Sequence, residues 1–174
     1  MACSQTLAGI NLDCGASMGG IKKVWLAPYV EGAGIVTSGT STGDTGEIQS
    51  FSGVTGWYVY NFRKNTGSMT STLNVDPANG VNYVSTELSL VFTKMDTAKR
   101  IEMSALAFAD AMAVVEDANG NRWFLGKDEP LAATAGTGET GTAKTDGNKY
   151  TITLTDESLT FPYKLDDELE LVEA

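Results

Sequence analysis

Val81-Asn82-Tyr83-Val84-Ser85-Thr86-Glu87-Leu88-Ser89-Leu90-Val91-Phe92-Thr93-Lys94 begins a segment, continuing to Lys127, with the pattern of strand, helix, strand, tight turn and strand. Val84, Leu88, Leu90 and Phe92 fall on one face of an extended chain, and Ser85, Glu87 and Ser89 fall on the other. A period of two marks a half-buried strand. Asp96 and Thr97 then offer side-chain oxygens to the free amides of a helix start. Ala98, Ile101, Ala105 and Phe108 recur at helical spacing on one stripe. The run is rich in alanine and free of glycine and proline, so a helix is expected over Thr97–Ala109. Ala111-Met112-Ala113-Val114-Val115 reads as a short buried strand. Asn119-Gly120 is a strong hairpin signal, expected as a type I′ turn with positive φ at both central residues. Trp123, Phe124 and Leu125 make the return strand.

Working outward, Ile21 to Tyr29 is a first strand, with Val24 and Leu26 opposed to Trp25 and Tyr29. Trp57, Tyr58, Val59, Tyr60 and Phe62 are strand formers, Asn65-Thr66-Gly67 is a turn, and Met69, Leu73 and Val75 alternate with Thr70, Thr72 and Asn74. Trp57 to Lys94 therefore reads as three antiparallel strands in meander order. Tyr150, Ile152 and Leu154 alternate with Thr151, Thr153 and Thr155, and Leu159, Phe161, Tyr163 and Leu165 repeat the pattern. Residues 1–20 are expected as an N-terminal arm, and 31–46 and 128–147 as flexible glycine- and threonine-rich loops. The acidic tail from Asp166 is expected as a last strand or a frayed end. The sum is roughly seven to nine strands and one helix, a mainly β antiparallel sandwich or barrel within one domain spanning 1–174.

The chain carries 22 acidic and 12 basic residues, a formal net charge of −10. Such a balance disfavours a grip on nucleic acid through phosphate contacts. No apolar run approaches the ~18 residues of a membrane helix, so no membrane partner is expected. Met1-Ala2-Cys3-Ser4-Gln5 lacks the basic and then apolar pattern of an export signal. Cys3 and Cys14 are thus as readily two reduced thiols as a pair.

Motifs for chemistry are thin. The chain has no histidine, which removes the commonest general base and the usual zinc sites. Gly136-Thr137-Gly138-Glu139-Thr140-Gly141 matches the spacing of a dinucleotide fingerprint but lacks its strand before and helix after. Asp117-Ala118-Asn119-Gly120-Asn121 resembles the start of a calcium loop, but glycine stands fourth rather than sixth, so a hairpin is the better reading. Adjacent carboxylates, Glu116 with Asp117 and Asp166 with Asp167, point to opposite faces of a strand. No enzyme, cofactor or metal site is expected. Trp57, Tyr58, Tyr60 and Phe62 are candidates for subunit contact, with a sugar- or peptide-binding strip as the less common use of such a row.

Gly9-Ile10-Asn11-Leu12-Asp13-Cys14-Gly15, followed by Gly20-Ile21-Lys22-Lys23-Val24-Trp25-Leu26, resembles the opening of virion structural proteins from tailed phages of gut Bacteroidales. The order of later elements is also similar: the aromatic stretch Trp57 to Phe62, then Leu88 to Phe92, the Lys99-Arg100-Ile101 helix and Tyr150 to Leu154. The likeness covers most of the chain in element order, and its one specific string is the N-terminal one. It implies a major tail tube protein or a close relative. Proteins of that kind are β-sandwiches with a flanking helix that close into hexameric rings, line a lumen with strands and stack. The implied partners are further copies of the chain and other tail proteins, with DNA passing unbound. The implied place is the virion tail, after synthesis in the host cytoplasm. On this resemblance Ser68, Thr70, Thr72 and Asn74 are the candidate lumen-facing or subunit-contact residues. A head–tail connector, a ring or capsid decoration protein, and then a carbohydrate-binding β-sandwich are the alternatives.

Overall fold

The computed structural model describes residues 9, 10, 12, 14–36 and 46–174. Within them the elements run β1 (Ile21–Pro28), β2 (Gly34–Val36), β3 (Ile48–Phe51), β4 (Tyr58–Tyr60), β5 (Gly67–Asp76), β6 (Val81–Thr93), α1 (Thr97–Leu106), β7 (Ala111–Asp117), β8 (Arg122–Leu125), β9 (Ala132–Glu139), β10 (Lys149–Ser158) and β11 (Tyr163–Lys164). Three sheets form, in the orders β11-β8-β7-β1-β4, β5-β6-β10-β9 and β2-β3. The larger two pack face to face as a mainly β antiparallel sandwich with one helix. Neither closes on itself, so of the two architectures expected, sandwich or barrel, the chain takes the sandwich.

The alternation in β6 and β10 determines how the sandwich is filled. Leu88, Leu90, Phe92, Ile152 and Leu154 meet Val24, Leu26, Ala113, Val115 and Leu125 from the facing sheet in one buried cluster. Each such aliphatic side chain removed from water contributes roughly 1.5–3 kcal/mol. A second cluster lies on the opposite face of the five-stranded sheet, where Trp25, Met112, Val114 and Phe124 meet Ile48, Trp57, Tyr163 and Leu165. The β2–β3 hairpin and the C-terminal tail cover it, which is why β7 has five buried residues in succession rather than alternate ones.

Several expectations change. Tyr58 to Tyr60 pairs with β1 (Leu26↔Tyr58, Val24↔Tyr60) instead of β5, so the expected three-strand meander is a β5–β6 hairpin plus a strand of the other sheet. Asn65, at φ 62°, lies in the crossing between sheets. The stretch expected as a loop over 128–147 contains β9, paired along β10. Its alanine, glycine and threonine show no apolar alternation because β9 is a largely exposed edge strand, held by backbone hydrogen bonds to β10. The other expected loop, 31–46, contains β2 in pairing with β3, and its 37–45 part lies outside the described residues. Of the arm expected over 1–20, residues 1–8, 11 and 13 lie outside them too, and the described part has neither helix nor strand. Of the run from Leu159, only Tyr163 and Lys164 form a strand, while Leu159 and Phe161 are exposed.

The helix begins as its cap predicts, Asp96 Oδ1 accepting from the Lys99 amide at 2.8 Å, and ends at Leu106 rather than Ala109. Its stripe is not the expected one. Leu106 is buried and Met103 packs on the core, whereas Ile101 and Phe108 are 56% and 93% exposed. The β7–β8 turn differs in type: only Gly120 has positive φ (92°), and the Asp117 amide donates to the Asn121 carbonyl at 2.9 Å. That is the three-residue hairpin loop, with glycine in the left-handed position. The tail is ordered. The Arg122 guanidinium donates to the carbonyls of Leu169, Asp166 (2.7 Å) and Asp167 (3.1 Å), and the Trp57 amide donates to the Val172 carbonyl at 2.8 Å.

Candidate functional site

The four-stranded sheet has one face in the core and one in solvent, and the register shows what the free face carries. Along β5, Ser68, Thr70 and Thr72 stand opposite Ser89, Glu87 and Ser85 of β6. Across β6, Ser89, Glu87 and Ser85 stand opposite Thr153, Thr155 and Glu157 of β10. On the far side Thr151 pairs with Thr137, and Thr134 Oγ1 lies 3.0 Å from Thr155 Oγ1. The residues alternating with the buried Leu88, Leu90, Ile152 and Leu154 are thus mostly hydroxyls in cross-strand rows, with carboxylates among them and with Val91 opposite Thr151 and Tyr83 opposite Asn74. Lys149, at the start of β10, sits 3.5 Å from Glu139. A threonine-rich face of this kind suits a pleated, hydrated surface.

All four residues singled out on β5 lie on this face; Ser68, Thr70 and Thr72 are exposed, and Asn74 is half-buried. The hydroxyls of β6, β9 and β10 complete it. Thr151, Thr153 and Thr155 were visible as the polar half of an alternation. Thr134 and Thr137 were hidden in a segment without one.

Among the described residues, neither edge of the sheet pairs with a further strand. β5 is 10 residues long and β9 is 8. The β5–β6 hairpin also runs past the core, so Leu73 and Val75, which point to the core side, remain 49% and 57% exposed. Long open edges with uncovered apolar residues are a template for pairing with another chain.

The four aromatics do not form one strip. Trp57 is 2% exposed in the second core, and Tyr58 is 56% exposed at the sheet edge. Tyr60 and Phe62 are half-buried against the sandwich core. The Tyr60 hydroxyl bonds to the Glu102 carboxylate of α1; burial, and then that carboxylate, raise its pKa above the ordinary tyrosine value.

One buried carboxyl ties the two large sheets together. Asp156, 2% exposed on the core side of β10, accepts from the Gly126 amide at 3.0 Å at the exit of β8, and from Ser158 Oγ at 3.3 Å. Gly126 has φ 88°, and a Cβ there would meet the Cβ of Met112 at 2.9 Å, so the close approach needs glycine. Burial pushes the Asp156 carboxyl up to about 6, helped by Asp128 and Glu129 and opposed by its two hydrogen bonds.

The motifs weighed for ligands sit in ordinary structure. Gly136 to Glu139 is part of β9, with a turn rather than a helix following. Asp117 spends its carboxylate on Asn119, Asn121 and Trp123 of its own hairpin. Among the described residues no group of three or more His, Cys, Asp or Glu side chains is placed to hold a metal ion, and no helix is long and apolar enough to cross a membrane. Cys14 is exposed, and Cys3 lies outside the described residues. The chain matches no family model, no curated protein and no solved structure.

Proposed function

We propose that this chain is a structural subunit of a virion tail that closes with copies of itself into rings, with the free face of the four-stranded sheet turned toward the channel. The observation that carries the reading is the combination on one sheet: a hydroxyl-rich, acidic face between two long free edges. Edge-to-edge pairing of β5 with β9 of a neighbour would continue the sheet around the ring and cover Leu73 and Val75. A wall of threonine, serine and glutamate stays wet and repels phosphate, so DNA would pass along it without adhering. The partners are then other copies of the chain and other tail proteins, and the place is the virion tail.

Negative-stain electron microscopy of the purified protein over a concentration series, with light scattering in parallel, tests the reading. Closed rings or hollow tubes are the expected result. A monodisperse monomer at every concentration contradicts it.

A further inference from the structure

The two ends of β1 differ in charge and in shape. At the Ile21 end, Met18, Lys22, Phe62, Arg63 and Lys64 line one cleft. Lys22 lies 3.8 Å from Glu116 with half its side chain exposed, and neither Arg63 nor Lys64 pairs with a carboxylate among the described residues. Three of the chain's 12 basic side chains therefore converge on one partly apolar hollow, in a protein of net charge −10.

At the other end, Leu159 is 73% exposed and shares a surface hollow with Asp128, Glu129 and Glu157. Its amide donates to Asp128 Oδ2 at 3.1 Å, which holds the loop out, and Phe161 beyond it is 54% exposed. The cation beside this group is Lys127, 4.0 Å from Asp128 and stacked over the Tyr163 ring. Tyr29, the residue after β1, bonds to the Asp128 carbonyl at 3.3 Å. Its hydroxyl pKa is raised, first by burial and then by Glu31, Asp128, Glu129 and Asp156, so the field at this end is negative.

Lys22 and Tyr29 are separated by about 23 Å of extended chain. A basic cleft with apolar walls and an apolar protrusion ringed by acids are thus held apart in one copy, and two copies set head to tail bring them together. We infer that the Glu157–Phe161 loop of one copy docks in the Met18–Phe62 cleft of the next, Leu159 against Phe62, with Glu129 and Glu157 facing Arg63 and Lys64. The inference rests on the self-assembly proposed above and names its longitudinal contact. Because the two surfaces differ, the contact is heterologous and extends as a stack. Its residues are separate from the β5 and β9 edges, so ring closure and stacking can be lost independently.

Two charge-exchanged variants test it, R63E/K64E and E129K/E157K, each at exposed side chains. Sedimentation velocity and negative stain are run on wild type, on each variant and on their equimolar mixture, with thermal melts as the control for folding. Wild type should stack, less at high salt. Each variant alone should associate at least about tenfold more weakly, because like charges now meet. The mixture should recover, since each altered end finds the other's opposite charge, and Leu159→Ser should weaken stacking without changing charge. Wild-type stacking by either folded variant alone, or no recovery in the mixture of two folded variants, overturns the inference while leaving the ring reading intact. A wild type that forms neither rings nor stacks overturns both.

Discussion

The two large sheets share one core and differ in what they do with their second face. The five-stranded sheet is buried on both sides: Val24, Leu26, Ala113 and Val115 enter the sandwich, and Trp25, Met112, Val114 and Phe124 enter the second cluster beneath the tail. The four-stranded sheet buries one side and presents hydroxyls on the other. A sheet with no free face can only be scaffold. A sheet with one regular polar face and two open edges has surface left for a partner. Under the proposed function, β1, β7 and β8 carry the stability of the fold, and the β5-β6-β10-β9 sheet carries assembly.

The largest effect should come from the scaffold. Phe124 is 1% exposed, and its ring meets Phe51 edge-on at 5.1 Å. Phe124→Ala should cost about 4 kcal/mol in urea unfolding, through lost transfer energy and the cavity left behind. A cost below about 1 kcal/mol would mean that the second cluster is not a packed core.

Next comes the seam between the sheets. The folded Asp156 carboxyl is raised from 3.8 to about 6, so its neutral form is the favoured one in the folded chain. The stability this contributes is complete below the unfolded value and is lost as pH rises through about 6. Asp156→Asn removes that titration, and relative to wild type it should gain about 3 kcal/mol between pH 3 and pH 8. Parallel stability curves for the two proteins would show that Asp156 does not titrate in this window.

Arg122→Ala should cost about 2 kcal/mol, since three tail carbonyls lose a charged donor. Hydrogen exchange at the Leu169 and Ala174 amides should accelerate more than in β10, because the tail covers only the five-stranded sheet. The smallest effect belongs to the free face. Thr153→Ala should change monomer stability by less than about 1 kcal/mol, as an outward position between Ser89 and Ala135. A larger loss would make that face part of the scaffold and erase the contrast.

The alternating strands were legible because burial on one side leaves a pattern of two. Leu88, Leu90, Ile152 and Leu154 announced the core, and Asp96 announced the helix start. β9 was not legible, because an exposed edge strand of alanine, glycine and threonine is specified by its neighbour's backbone and not by its own side chains. The partner of Tyr58–Tyr60 was equally hidden: strand propensity says that Val59 and Tyr60 extend, not which sheet receives them. Helical spacing suggested Ala98, Ile101, Ala105 and Phe108 as the packed stripe, whereas Met103 and Leu106 face the core. Two candidate stripes of similar apolarity are separated only by how the chain leaves β6. The hydroxyl face was half visible, in Ser68 to Asn74 and in Thr151 to Thr155. Its unity across four strands needed the register.

The most direct measurement is electron cryomicroscopy of the assembled protein. Rings whose inner wall is the β5-β6-β10-β9 sheet, with Thr70, Ser85 and Thr153 facing the channel, are the expected result. An assembly with that face on its outside or against a neighbour, and the five-stranded side toward the channel, would contradict it.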